Sequence, residues 1–149
     1  MSLKLTVYTE EFLPLSWKWL NDSEIKSLTM TPDFSKEEQI NFFNSLSSRK
    51  NYKIFGIEFD GIKIGACGLK NIENERAEYW GYIGEKEYWG KGLGKEILTD
   101  MIDLATKEKI LSLYLKVEKN NYRAIKLYEK FGFANKLEED NYFIMEKNI

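Results

Sequence analysis

The amino-acid sequence predicts an α/β protein, an α+β sandwich whose mixed, largely antiparallel sheet of seven strands is flanked by four helices. Three observations carry this reading. Short runs with period-two alternation recur along the chain, and three of them follow one another directly, as antiparallel hairpins do. Runs of helical period stand between the others, so the order reads β-α-α-β-β-β-α-β-α-β-β. Between Arg76 and Val117, a strand is followed by a turn with three glycines, a helix and another strand. That makes one parallel pair at the middle of the sheet, joined by a crossover expected to be right-handed. The 149 residues are expected to form a single domain, 1–149, large enough to bury its own core.

Each element has a local reason. Leu3, Leu5 and Val7 alternate with Lys4, Thr6 and Tyr8, which reads as a first strand. Thr9-Glu10-Glu11 offers an N-cap hydroxyl and two acids for a first helix, which Phe12, Leu13, Leu15, Trp17, Trp19 and Leu20 carry to Asn21-Asp22-Ser23. Pro14 suits a first turn, so this helix can begin late. Residues 24–34 show little period and contain Pro32, and are read as a loop. Ser35-Lys36-Glu37-Glu38 is a capping box that opens a second helix, with Ile40, Phe43 and Leu46 facing inward. Tyr52 to Phe59 is a strand, and Asp60-Gly61 a type I′ turn into the next. Asn71 to Glu75 is a polar turn, after which the strand Arg76 to Ile83 returns. In the helix that follows the glycines, Ile97, Leu98, Met101, Ile102 and Ala105 form one apolar stripe. Leu111 to Val117 alternates again. A last helix starts at Asn121 and ends before Gly132, a suitable C′ residue. Phe133 to Glu138 and Asn141 to Glu146 close the sheet around a turn at Glu139-Asp140.

Composition narrows the chemistry. A net charge of −2 gives no global attraction to nucleic acid or to an anionic membrane, so neither is expected as a partner. No run of eighteen apolar residues is present, and the start of the chain lacks the apolar stretch of a signal peptide; a cytoplasmic location is expected. Cys67 is the single cysteine and reads as a small buried filler. The chain contains no histidine, which excludes Ser-His-Asp and Cys-His catalysis and leaves no metal expected. Any base must be a carboxylate, a tyrosine, a lysine or water.

The glycine turn is the most informative stretch. Tyr88-Trp89-Gly90-Lys91-Gly92-Leu93-Gly94-Lys95 joins a strand to a helix, which is the physical recipe for an anion cradle. Lys91 and Lys95 add positive charge there. A Walker loop would need a Ser or Thr after the lysine, and Glu96 follows Lys95. A dinucleotide fingerprint would need a glycine three residues beyond the second one, and the spacing here is two and two. The spacing instead resembles the pyrophosphate loop of the GNAT family of N-acetyltransferases, Q/R-x-x-G-x-G/A, with Trp89 where Gln or Arg is usual. A second stretch, Asn121-Tyr122-Arg123-Ala124-Ile125-Lys126-Leu127-Tyr128-Glu129-Lys130-Phe131-Gly132-Phe133, resembles the family's N-x-x-A-I-x-L-Y-x-K-x-G-F segment at the family's distance.

The resemblance implies an acetyl-CoA-dependent N-acetyltransferase acting on a primary amine: a small-molecule amine, an amino sugar or a peptide N-terminus. Acetyl-CoA would be the co-substrate, and the protein a monomer or homodimer. Carried over residue by residue, Trp89, Gly90, Lys91, Gly92, Leu93, Gly94 and Lys95 hold the pyrophosphate, and Gly81, Tyr82 and Ile83 pair with the pantetheine arm. Asn121 matches the asparagine that hydrogen-bonds the cofactor, and Tyr128 the tyrosine that protonates the leaving thiolate. Glu78 is the candidate base, directly or through water. It shares a strand face with Trp80 and Tyr82, and aromatic neighbours would favour its neutral form. The first two helices and the loop between them cover the acceptor pocket in the family, which makes Trp17, Trp19, Asp22, Met30 and Phe34 acceptor-side candidates; plain core packing is the other reading of those aromatics. A non-catalytic acyl-CoA-binding module would keep the glycine loop and be indifferent to Tyr128 and Glu78. A nucleotide-binding domain of another class is opposed by the two failed spacings.

Overall fold

Alternating side chains and two-residue turns fold about a third of the chain into one seven-stranded sheet. The computed structural model describes residues 2–149. Its strands are β1 (Leu3–Val7), β2 (Lys53–Phe59), β3 (Ile62–Glu73), β4 (Arg76–Ile83), β5 (Ser112–Glu118), β6 (Ala134–Glu138) and β7 (Tyr142–Asn148). They lie in the order β1-β2-β3-β4-β5-β7-β6, and only β4 and β5 run parallel. Asp60 and Gly61 both take positive φ, 50° and 84°, as a type I′ turn requires. The next turn is tighter than expected. β3 runs on to Glu73, and the chain reverses at Asn74-Glu75, whose φ values are 51° and 62°. Asn71 does not open that turn. It sits at φ 53° inside an irregularity between Lys70 and Glu73, a left-handed site that asparagine tolerates.

Five α-helices are present among the described residues where four are expected: α1 (Phe12–Asn21), α2 (Ser23–Thr29), α3 (Lys36–Ser45), α4 (Leu93–Lys107) and α5 (Tyr122–Lys130). The additional one is α2, in the segment read as a loop. Asp22 caps it, accepting from the Glu24 and Ile25 amides, and Glu24 lies in its first turn. With seven residues and only Ile25 buried, α2 is too short to print a period on the sequence. The start of α1 also differs: Thr9 is not its cap but accepts the Phe12 amide through its carbonyl in a preceding turn. The capping box of Ser35 and Glu38 is formed as read.

The helices cover both faces of the sheet. On one, Ile97, Leu98, Met101 and Ala105 of α4 pack on Ala77, Tyr79, Leu113 and Leu115, with α5 beside them. Cys67 is buried in the same core, and burial pushes its thiol up to about 12. On the other face, α1 docks by two rings. A Cβ on Gly56 would lie 2.0 Å from the Phe12 ring, and one on Gly84 2.2 Å from Trp19, so these two positions tolerate no side chain. Trp19 then donates through Nε1 to Glu85 at 2.6 Å, tying α1 to the chain leaving β4.

Candidate active site

The parallel pair at the centre of the sheet is short. β4 and β5 register only at Arg76–Ser112, Ala77–Leu113 and Glu78–Tyr114. Beyond Glu78, β4 continues to Ile83 paired with β3 alone, and β5 continues to Glu118 paired with β7 alone. Two strands that part leave main-chain donors and acceptors without a neighbour on that side, ready for an extended ligand. The gap opens into a cleft of about 1450 Å³. Tyr79, Gly81, Tyr82 and Ile83 form its β4 wall, the starts of α4 and α5 another, and the α1–α3 face the third.

At one end of the cleft lies the glycine turn. Gly92 is the N-cap of α4 at φ 78°, and no side chain caps the helix. A Cβ placed on Gly92 would meet nothing within 4 Å, so open space lies beside the turn into α4, whose first-turn amides have no side-chain cap. Gly94 serves a different purpose: a Cβ there would come 3.2 Å from Leu127 Cδ2, so its absence lets α5 approach α4. Trp89 is a brace. Its Nε1 donates to the Ile83 carbonyl at 2.8 Å, and Lys86 and Arg123 lie over its ring at 5.8 and 6.0 Å. Gly90, Leu93 and Lys95 line the cleft, whereas Lys91 is exposed and stands off its wall. Asn121 caps α5, its Oδ1 accepting the Ala124 amide at 3.4 Å, which leaves its amide nitrogen for a ligand.

Tyr128 reaches the same cleft from α5. Its ring is edge-on to Tyr79 at 6.3 Å and to Phe133 at 5.9 Å, and its carbonyl accepts the Phe131 and Phe133 amides that end the helix. Burial pushes its phenol up to about 12, so it is a proton donor throughout the neutral range. Glu78 stands where β4 and β5 part and is only 5% exposed. Two polar groups meet it: Asn71 donates to it at 3.2 Å, and the Lys70 ammonium lies 3.8 Å away. Lys70 lines the cleft and Glu78 does not. Neither polar neighbour follows from the sequence reading, which puts Asn71 in a turn and sets no register between the two strands; in the structure Lys70 lies across from Glu78.

The far half of the cleft is aromatic. Trp80 and Tyr82 stack at 6.3 Å, Tyr52 lies 6.4 Å from Trp80, and Phe42 is edge-on to Tyr52. Ser16 Oγ meets the Tyr8 hydroxyl at 2.7 Å and accepts from Tyr82 at 3.5 Å. Burial raises Tyr8 and Tyr82 and takes Tyr52 to about 12. Of the five acceptor-side candidates, Phe34 lines the cleft, with Trp17 edge-on behind it at 5.2 Å. Trp19 is core. Met30 ends α2 in a left-handed conformation, and Asp22, besides capping α2, holds Lys86 at 3.0 Å together with Glu24. Among the described residues, no three His, Cys, Asp or Glu side chains cluster, and no helix is long and apolar enough to cross a membrane.

Comparison with known proteins agrees with this fold. Residues 16–133 match the family model described as acetyltransferase (GNAT) family. A probable spermine N(1)-acetyltransferase of Bacillus subtilis subsp. natto is 37% identical over 90 residues, 55% of this chain but only 59% of that relative's length. Acetyltransferase PseH of Campylobacter jejuni subsp. jejuni is 27% identical over 145 residues, 95% of this chain and 90% of that protein. The crystal structure of spermidine N-acetyltransferase from Vibrio cholerae, in complex with CoA and spermine, superposes with a TM-score of 0.88 at 24% identity, covering 98% of this chain and 95% of that one.

Proposed function

Because the chain belongs to the acetyltransferase (GNAT) family, we propose that it transfers the acetyl group of acetyl-CoA to a primary amine held in the aromatic half of the cleft. The observation that carries the reading is the junction of two features: β4 and β5 part at Glu78, and the gap runs to the uncapped, glycine-lined start of α4. Bound acetyl-CoA supplies the activated acyl group. The amides of Leu93, Gly94 and Lys95 and the Lys95 ammonium face its pyrophosphate, and the open edge of β4 at Gly81, Tyr82 and Ile83 takes the pantetheine arm. The Asn121 amide nitrogen gives a further hydrogen bond.

Three groups handle the protons. As the amine nitrogen bonds to the acyl carbon and the carbon–sulfur bond breaks, Tyr128 gives its proton to sulfur. The proton lost by the amine passes through water and refills the phenolate, so the protein ends as it began. Before attack, Glu78, set behind the cleft wall, takes the extra proton of an ammonium acceptor through water and later returns it to solvent; it also holds the Lys70 ammonium in place. Relatives named for spermine and spermidine make polyamines the first acceptors to test.

The test is release of free thiol from acetyl-CoA over a panel of polyamines, amino sugars and peptide N-termini. Release that depends on one class of amine, with acetylated product found by mass spectrometry, is the expected result. Tight CoA binding with no amine-dependent release on any member would favour a non-catalytic acyl-CoA-binding module.

A further inference from the structure

Free positive charge gathers on one wall of the cleft. On α5, Arg123, Lys126 and Lys130 stand at i, i+3 and i+7, which at 3.6 residues per turn places them within an arc of about 60° and along about 10 Å of helix. All three line the cleft and are exposed. Seven other cations, Lys26, Lys53, Lys63, Lys70, Arg76, Lys86 and Lys119, each lie within reach of a carboxylate. Among the described residues, the three on this stripe have no such partner. A chain of net charge −2 therefore keeps a band of unneutralised charge at one place.

The band has a direction. Arg123 is its loop end, with its guanidinium over the Trp89 ring and Nη2 3.9 Å from where a Cβ of Gly90 would stand. Lys126 and Lys130 lie one and two turns further along. They lie to one side of the line on which α5 touches the start of α4, where Leu127 packs against Gly94. The uncapped amides of α4 and the Lys95 ammonium already meet the needs of one pyrophosphate. A second anionic group on the same ligand, displaced along α5, is what the remaining lysines fit.

Building on the acetyl-CoA reading above, we infer that Lys126 and Lys130 bind the 3′-phosphate on the ribose of CoA, with Arg123 shared between that phosphate and the pyrophosphate. The protein thereby selects CoA over dephospho-CoA, which has the same pyrophosphate and pantetheine arm but lacks the 3′-phosphate. Charge-assisted bonds to an exposed phosphate give a preference of about tenfold or more, weakening as salt rises.

The experiment is titration calorimetry of CoA and of dephospho-CoA into the wild-type chain and into the Lys126→Gln/Lys130→Gln double variant, with melting temperatures to confirm that both fold. The wild type is expected to prefer CoA by at least about tenfold. In the double variant CoA affinity falls by about that factor, dephospho-CoA affinity changes less than about twofold, and the preference approaches one. Equal affinities in the wild type, or a preference that survives in the double variant, overturn the assignment of the 3′-phosphate and leave the acetyl-CoA reading standing. Failure of the wild type to bind either compound overturns both.

Discussion

Replacing Tyr128 by Phe is expected to lower turnover at least about thirtyfold while folding and CoA affinity stay nearly as they were. Loss of a positioned general acid costs about 10²–10⁴ in rate, or roughly 3–5 kcal/mol of barrier. The ring contacts to Tyr79 and Phe133 survive the change. No hydrogen bond ties the Tyr128 hydroxyl to another described residue, so its removal costs the fold well under the ~1 kcal/mol of a typical hydrogen bond. The phenol pKa of about 12 adds a sign: Tyr128 is protonated, and able to donate, at every pH below that value, so it contributes no alkaline fall in rate between pH 7 and 10. Turnover, CoA affinity and melting temperature of one variant check all of this. Turnover within about threefold of wild type, with chemistry rate-limiting, would show that Tyr128 only packs.

The second large effect is at Gly92. A valine there puts a side chain into the open space beside the turn into α4 and should weaken CoA binding by about a hundredfold or more, as loss of several charge-assisted hydrogen bonds does. It also forces a β-branched residue to φ 78°, where left-handed backbone costs about 1–2 kcal/mol before any ligand is present. The two contributions separate with a control. Gly61 sits at φ 84° in the β2–β3 turn, with equally open space around it and outside the cleft lining. Gly61→Val is expected to lower stability by a similar amount and leave CoA affinity unchanged. Gly92→Val binding CoA within about threefold of wild type would remove the glycine turn from the site.

Much of this was readable in advance because it rests on local pattern. The strands alternate, the turn at Asp60-Gly61 and the capping box at Ser35 are written in short signatures, and the glycine spacing before α4 is distinctive. What was not readable depends on which distant residues meet. Tyr8, Ser16 and Tyr52 come from the end of β1, from α1 and from the approach to β2, and only the sheet register and the seating of α1 on Gly56 and Gly84 bring them to Trp80 and Tyr82. Strand alternation puts Glu78 on one face with Trp80 and Tyr82, but its polar neighbours depend on an irregularity in β3 at the left-handed Asn71. α2 was missed because its cap, Asp22, looked like the end of α1, and its seven residues bury one side chain. Trp89 has an unusual identity for its motif position. Its hydrogen bond to Ile83 shows it used for holding the turn against β4, a role that spacing alone does not reveal.

The central claim is that one ligand occupies both the open edge of β4 and the amides at the start of α4. Amide hydrogen exchange, read by mass spectrometry with and without saturating CoA, tests it most directly. The account predicts exchange slowed by about tenfold or more in peptides covering Tyr79–Ile83 and Gly90–Lys95, where bound CoA supplies partners that the fold leaves out. The exposed edge strand β6, Ala134–Glu138, should exchange at the same rate in both samples. Slowing confined to other segments, or none at either place under conditions where calorimetry shows CoA bound, would contradict the account.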